Sequence, residues 1–272
     1  MNLQKSYGHS YKSVILRNRL RNLYFYFINL KFQIQHKGNF TQRMSSTKQE
    51  LIFQMKQIGV IPVFYHPDVD VLMHVVDVSY RCGLRVFEFM HQRDNKGPRL
   101  FNYIKERSDA YPGLILGAGT VLDATMTERY IRVGAEFIAS PFLRPEMAEV
   151  CNQQGTLWMP GCTTLTDIEK SKSLGASVIG VLPGNILGPD FISTVKREHP
   201  DLNFIPSGIT DLHETSLKKW YEAGSLCIKL NAPLFPKEAI TLKDWGLVEK
   251  VIFAHLKNIA KIKSTVKPVN PQ

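Results

Sequence analysis

In Arg85-Val-Phe-Glu-Phe-Met90 a carboxylate sits in the middle of an apolar run. A side-chain period of two puts Val86, Glu88 and Met90 on one face of this segment and Phe87 and Phe89 on the other. The two aromatics suit a broad surface packed against helices, which turns Glu88 toward the opposite, interior side. A buried carboxylate without a partner is costly. Two readings therefore stand: a structural ion pair or neutral acid, or a carboxylate tuned to move protons or hold substrate in a cleft. Farther along, Val178-Ile-Gly-Val-Leu-Pro-Gly-Asn-Ile-Leu-Gly-Pro189 is a short apolar run entering a Gly/Pro turn. Its middle residue, Gly180, has no side chain to pack or to react. Lys229 lies in a third short apolar run, 226–230, and carries an amine with three readings: a solvated lysine at a strand end, the partner of Glu88, or a nucleophile.

The elements that must position these groups repeat one theme. Thr47-x-x-Glu50 is a capping box that opens a helix over 47–58, stopped by Gly59. Val60-Ile-Pro-Val-Phe-Tyr65 is a strand, and Asp68 caps a helix that runs to Cys82. Strands follow at 84–90, 114–116, 137–139, 157–159, 178–182, 204–205 and 226–230. Helices are predicted from Pro98, from Asp123 to Gly134, over 145–154, about 166–174, from Asp190, about 210–223 and about 240–261. Eight short strands alternate with eight helices after one extra helix, so the strands are parallel with right-handed crossovers. Eight such units in about 220 residues imply an α/β fold, a (β/α)8 TIM barrel with one extra N-terminal helix. Gly117-Ala-Gly-Thr120 lacks the third glycine of a dinucleotide fingerprint.

Composition narrows the partners. The 272 residues are 44% apolar, enough for a real core, and carry a formal net charge of +10. Residues 1–49 hold nine Lys/Arg and no acid, leaving 25 basic against 24 acidic residues from Glu50 onward. The body is thus near neutral, which argues against nucleic acid as a partner. No apolar run approaches the roughly 20 residues of a membrane span. Cys82, Cys151, Cys162 and Cys227 are widely spaced and form no Cys-x-x-Cys or Cys/His pair, so reduced thiols and a cytoplasmic location are expected, with no metal and no cofactor. Residues 1–43 are read as a basic leader ahead of a start at Met44, with a transit segment or a basic arm as the alternatives. The barrel domain is expected over 44–262, with a frayed tail at 263–272.

In such a barrel the site lies at the C-terminal ends of the strands. That selects Tyr65-His66, the segment from Glu88 to Arg93, Gly117 to Thr120, Ser140-Pro141, Pro160 to Thr163, Pro183 to Asn185, Ser207 to Ile209 and Lys229 to Ala232. Alternate strands supply each interior layer. Glu88, Gly180 and Lys229 fall on the second, sixth and eighth strands, so Lys229 could reach the space left at Gly180 and pair with Glu88. His66 and His91 are read as polar rim groups, and Trp158 and Trp220 as packing residues.

Several strand ends together resemble the 2-dehydro-3-deoxy-6-phosphogluconate / 4-hydroxy-2-oxoglutarate aldolase family, small class I aldolase barrels, over about residues 45–236. The resemblance rests on Gly59-Val-Ile-Pro-Val63, Gly83-Leu-Arg-Val-Phe-Glu88, Gly117-Ala-Gly-Thr-Val-Leu122, Ala139-Ser-Pro141, Met159-Pro-Gly161 and the turn at Pro183. It implies a lysine on the sixth strand that attacks a 2-oxo carbon to form a Schiff base, an electron sink for carbon–carbon cleavage. This chain has Ile179-Gly-Val-Leu-Pro183 there, so Gly180 stands at the lysine position. The resemblance assigns Glu88 as acid/base and keeps Thr120 and Pro141 as substrate-binding positions. Met90 and Gln92 stand where the family has Thr and a carboxylate-binding Arg, while Arg93, one place late, is the remaining substrate-binding candidate. Ser207 and Gly208 lie where a phosphate cradle is expected, one glycine short, and Lys229-Leu-Asn-Ala232 replaces a second glycine-rich turn.

Three functions follow as expectations. The first is an aldolase homologue without imine chemistry that binds a sugar acid or regulates. The second is a rerouted lyase in which Lys229 serves as a relocated amine. The third is an enzyme that uses Glu88 as a base without an imine, with a metal, for which no ligand cluster is present in the sequence. In each case the partner is a small 2-oxo acid or sugar acid, and the resemblance implies a homotrimer.

Overall fold

The computed structural model describes residues 47–266. The expected basic leader, and the tail from 267 onward, lie outside the described residues. The first helix, α1 (Lys48–Ile58), opens with the capping box between Thr47 and Glu50 and closes on Gly59 at φ 81°, a left-handed conformation that glycine adopts without penalty.

Nine parallel strand segments follow: β1 (Val60–Phe64), β2 (Val86–Met90), β3 (Ile115–Gly119), β4 (Phe137–Ala139), β5 (Leu157–Met159), β6 (Gly161–Cys162), β7 (Val178–Val181), β8 (Asn203–Pro206) and β9 (Ile228–Leu230). They form two ladders, β5-β4-β3-β2-β1-β9 and β6-β7-β8. Only Pro160 separates β5 from β6, and a proline has no N–H to give a ladder. Its carbonyl still accepts from the Gly180 N–H at 2.8 Å. On the other side, the Leu226 N–H donates to the Phe204 carbonyl at 2.9 Å, just ahead of β9. The sheet curls, and its ladders meet at both of these places.

The curl creates two cores. Inside it, Ile61, Val86, Ile115, Phe137, Leu157, Val178 and Cys227 form one buried cluster, with Leu51 and Met55 of α1 packed among them. Outside it, Phe87 and Phe89 belong to a second cluster between sheet and helices, as the period of two requires. Phe89, Phe101 and Tyr130 meet there edge-on or tilted, with centroids 5.4–6.2 Å apart.

The remaining helices are α2 (Val69–Arg81), α3 (Gly97–Glu106), α4 (Ala124–Arg132), α5 (Pro145–Gln153), α6 (Leu165–Ser173), α7 (Gly184–Glu198), α8 (Glu214–Glu222), α9 (Lys237–Thr241) and α10 (Trp245–Thr265). Asp68 and Asp123 cap α2 and α4 with their carboxylates, where the sequence places those helix starts. Two expectations are corrected. A helical turn begins at Gly184, ahead of the expected start at Asp190, and Gly188 at φ 75° with Pro189 kinks the passage into the main helix. The last helix is two, α9 and α10, divided where Lys243 adopts φ 54°.

The expected fraying from Lys263 is also corrected, because α10 continues to Thr265. Ile259 and Ile262 are buried, and the Lys263 amine donates to the carbonyls of Gln57 (2.9 Å) and Lys56 at the end of α1. A cation at a helix C-terminus satisfies orphan carbonyls and meets the negative end of the helix dipole. Burial pulls the Lys263 pKa below its ordinary 10.5. Lys263→Ala is expected to lower stability by about 1–2 kcal/mol in chemical denaturation.

All four cysteines are buried and unlinked. Burial pushes the thiols of Cys151 and Cys227 up to about 12 and that of Cys162 to about 11, away from reactive thiolate. Trp158 and Trp220 are core residues. Among the described residues no helix is long and apolar enough to cross a membrane, and no group of three His, Cys, Asp or Glu side chains is placed to hold a metal.

Candidate active site

Glu88, Gly180 and Lys229 each sit two residues beyond an interior core residue, namely Val86, Val178 and Cys227. The strand period carries all three onto the same inner surface, one step nearer the C-terminal ends. Strand β1 lies between the two charged groups: Val63 is in register with Glu88, and Ile61 with Lys229. From these flanking strands the side chains converge. The Lys229 ammonium lies 2.6 Å from Oε2 of Glu88, with side chains 10% and 4% exposed. That distance removes the solvated-lysine reading. The approach is a charge contact more than an aligned hydrogen bond, since Oε2 has no well-directed donor.

Glycine makes room for this pair in two places. A methyl group at Gly119 would collide with the Glu88 carboxylate, so the absence of a side chain there leaves room for it. At Gly180 an added Cβ would meet only the Pro160 carbonyl closely, at 3.3 Å. The space left there belongs to a cavity of about 240 Å³. Glu88, Lys229 and Gly180 line it together with Thr120, Pro141, Ser207 and Gly208. Thr120 holds φ 57°, a left-handed conformation that costs a β-branched residue on the order of 1–3 kcal/mol and that the packing around it must maintain.

Arg93 is the exception among the expected site residues. It is exposed and does not line the cavity. The ladder ends at Met90, after which the chain turns through Asp94, whose carboxylate accepts from the Lys96 N–H, and Asn95 at φ 58°. Strand alternation does not reach residue 93. His91 is likewise not a rim group. It is buried, with Nδ1 2.9 Å from the Tyr130 hydroxyl, and burial lowers its pKa below 6.5. A histidine held neutral in the fold stabilises it above pH 6.5, and that stability is lost as the pH falls and the unfolded chain takes up the proton. Urea titrations at pH 7 and 5 should show this loss in the parent and a smaller one in His91→Gln.

Val63, Ala139 and Met159 also line the cavity, each two residues along its strand from Ile61, Phe137 or Leu157, as does Asn231 from the strand end after Lys229. The period of two finds the first three. Ser140 stands at a strand end. Its buried hydroxyl has no hydrogen-bond partner and borders the same cavity.

A buried amine beside a buried carboxylate, facing an open cavity, can bind and attack a carbonyl carbon while protons are exchanged next to it. The model of the family described as KDPG and KHG aldolase matches residues 51–251. The chain belongs to the KDPG and KHG aldolase family. Within it, a 2-dehydro-3-deoxy-phosphogluconate aldolase of Treponema pallidum is 24% identical over 195 residues, 71% of this chain and 90% of that protein. The crystal structure of 2-keto-3-deoxy-6-phospho-gluconate aldolase from Zymomonas mobilis superposes with a TM-score of 0.64 at 23% identity, covering 80% of this chain and 97% of that one. A KDPG aldolase from Legionella pneumophila, solved with pyruvate captured as a covalent carbinolamine, gives 0.65 at 19%, covering 72% and 93%. These likenesses establish that the curled parallel sheet is of the KDPG aldolase type.

Proposed function

We propose that this KDPG and KHG aldolase family member is a pyruvate-releasing carbon–carbon lyase whose imine-forming amine is Lys229, on β9, in place of the lysine that family resemblance expects at Gly180. The observation that carries the proposal is the Lys229 ammonium, buried in the cavity 2.6 Å from Glu88. Glu88 takes a proton from Lys229, and the free amine attacks C2 of a 2-oxo acid. The carbinolamine loses its hydroxyl as water with the proton that Glu88 returns, leaving a protonated imine. Cleavage of the C3–C4 bond sends its electron pair into that imine, while Glu88 accepts the C4 hydroxyl proton and C4 leaves as an aldehyde. Protonation of the enamine at C3 and addition of water at C2 release pyruvate and restore the amine.

Thr120, Pro141, Ser207 and Gly208 are assigned to substrate binding because they line the cavity around the pair. Arg93 is left out of that set. The fold is taken as a closed (β/α)8 barrel with α1 as its extra N-terminal helix, supported by the Gly180–Pro160 and Leu226–Phe204 hydrogen bonds. By family resemblance the working form is a homotrimer in the cytoplasm, acting on a small 2-oxo acid and needing no cofactor.

The same pair supports a second reading, a non-catalytic sugar-acid-binding barrel, since an ammonium locked to a carboxylate is not a nucleophile. Incubation with pyruvate and borohydride followed by intact mass separates the two. The lyase reading expects one reduced pyruvyl adduct, located on Lys229 by peptide mapping. An unmodified chain favours the binding barrel, and an adduct on another lysine ends the relocated-amine assignment.

A further inference from the structure

We infer that the mouth of this cavity selects a 2-oxo acid with a neutral, hydroxylated tail and rejects one whose tail carries a phosphate. The inference rests on the proposed function only for the reactive head of the substrate; the tail is read from the mouth.

Glu88 and Lys229 are the charged side chains among the lining residues, and they cancel. Both lie at the buried end, 4% and 10% exposed. The polar groups nearer solvent are neutral: Thr120, Ser207 and Asn231. A phosphate ester carries nearly two negative charges at neutral pH, and the one cation in the lining, Lys229, is already matched by Glu88.

Backbone amides could have served in place of a cation, since a helix N-terminus binds phosphate through its free N–H groups. At the nearest one, the start of α7, most of the N–H groups are already taken. Pro183 has no N–H, the Gly184 N–H donates to the Ser207 carbonyl at 2.8 Å, and the Ile186 and Leu187 N–H groups turn back to the Pro183 carbonyl at 3.2 Å. The Ser207 N–H is spent on Val181, at 3.0 Å. On β9 the turn that follows Lys229 bears the Asn231 carboxamide at the rim, a group suited to hydroxyls.

The test uses the full chain and two probes, 2-dehydro-3-deoxygluconate and its 6-phosphate, with binding measured by calorimetry and pyruvate release by a coupled assay. The unphosphorylated acid is expected to bind at least about tenfold more tightly. In Asn231→Ala and Ser207→Ala, with melting temperatures checked, that preference should shrink. Equal or tighter binding of the phosphate ester overturns the inference even if pyruvate is released, and so does failure of both probes to bind. A preference for the unphosphorylated acid without pyruvate release upholds the inference and defeats the lyase reading.

Discussion

Lys229→Met is expected to abolish borohydride trapping of pyruvate and to lower pyruvate release by at least about a thousandfold, because no other amine lines the cavity. The variant should also be less stable. Methionine keeps the apolar length of the side chain but leaves the Glu88 carboxylate, 4% exposed, without its counter-charge. Breaking a buried pair from one side costs about 3–5 kcal/mol, whereas neutralising both partners is often nearly free. The double variant Glu88→Gln/Lys229→Met should therefore recover most of the lost stability in denaturation and none of the trapping. This pattern separates a chemical role from a structural one. If Lys229→Met destabilised the fold yet still trapped pyruvate, the pair would be architecture and the amine would lie elsewhere.

The second large effect is expected at Gly119. A single methyl there meets the Glu88 side chain from its carboxylate back to Cγ, so the side chain must shift and disturb its contact with Lys229. Gly119→Ala should lose about 3 kcal/mol of stability and at least about a hundredfold in pyruvate release. Gly246→Ala is a useful contrast. An added Cβ there would find its nearest neighbour, Asp244 Oδ1, at 3.5 Å, an ordinary contact inside a helix. It should gain about 0.5–1 kcal/mol. Equal losses at the two positions would mean that Gly119 matters as generic backbone rather than as the floor under Glu88.

Much of this was legible in the chain because the relevant signals are local. Thr47, Asp68 and Asp123 sit one residue ahead of their helices and cap them, a geometry that depends on a few neighbouring residues. Strand period and layer make the convergence of Glu88 and Lys229 one of three readings of that lysine, although the two are far apart in sequence. What escaped depended on where a strand stops. Arg93, one place past the position where the resemblance expects an arginine, lies beyond the end of β2 at Met90, and His91 continues the outward face of Phe87 and Phe89 against Tyr130. The ends of α10 escaped for a similar reason. Lys263 looks like a solvated residue in a polar tail until the carbonyls of Lys56 and Gln57, some 200 positions earlier, are brought to it.

That last contact bears on the order in which the protein can be made. Strand β1 has β9 as one of its two neighbours, and α1 is finished by an amine from the final turns of α10. A ribosome delivers residues 48–64 well before their partners at 228–230 and 263. Throughout synthesis the first strand therefore waits with one edge unpaired and the first helix with bare terminal carbonyls. Such edges are where nascent chains associate wrongly. The pairing of β1 and the capping of α1 are complete only once β9 and α10 have emerged.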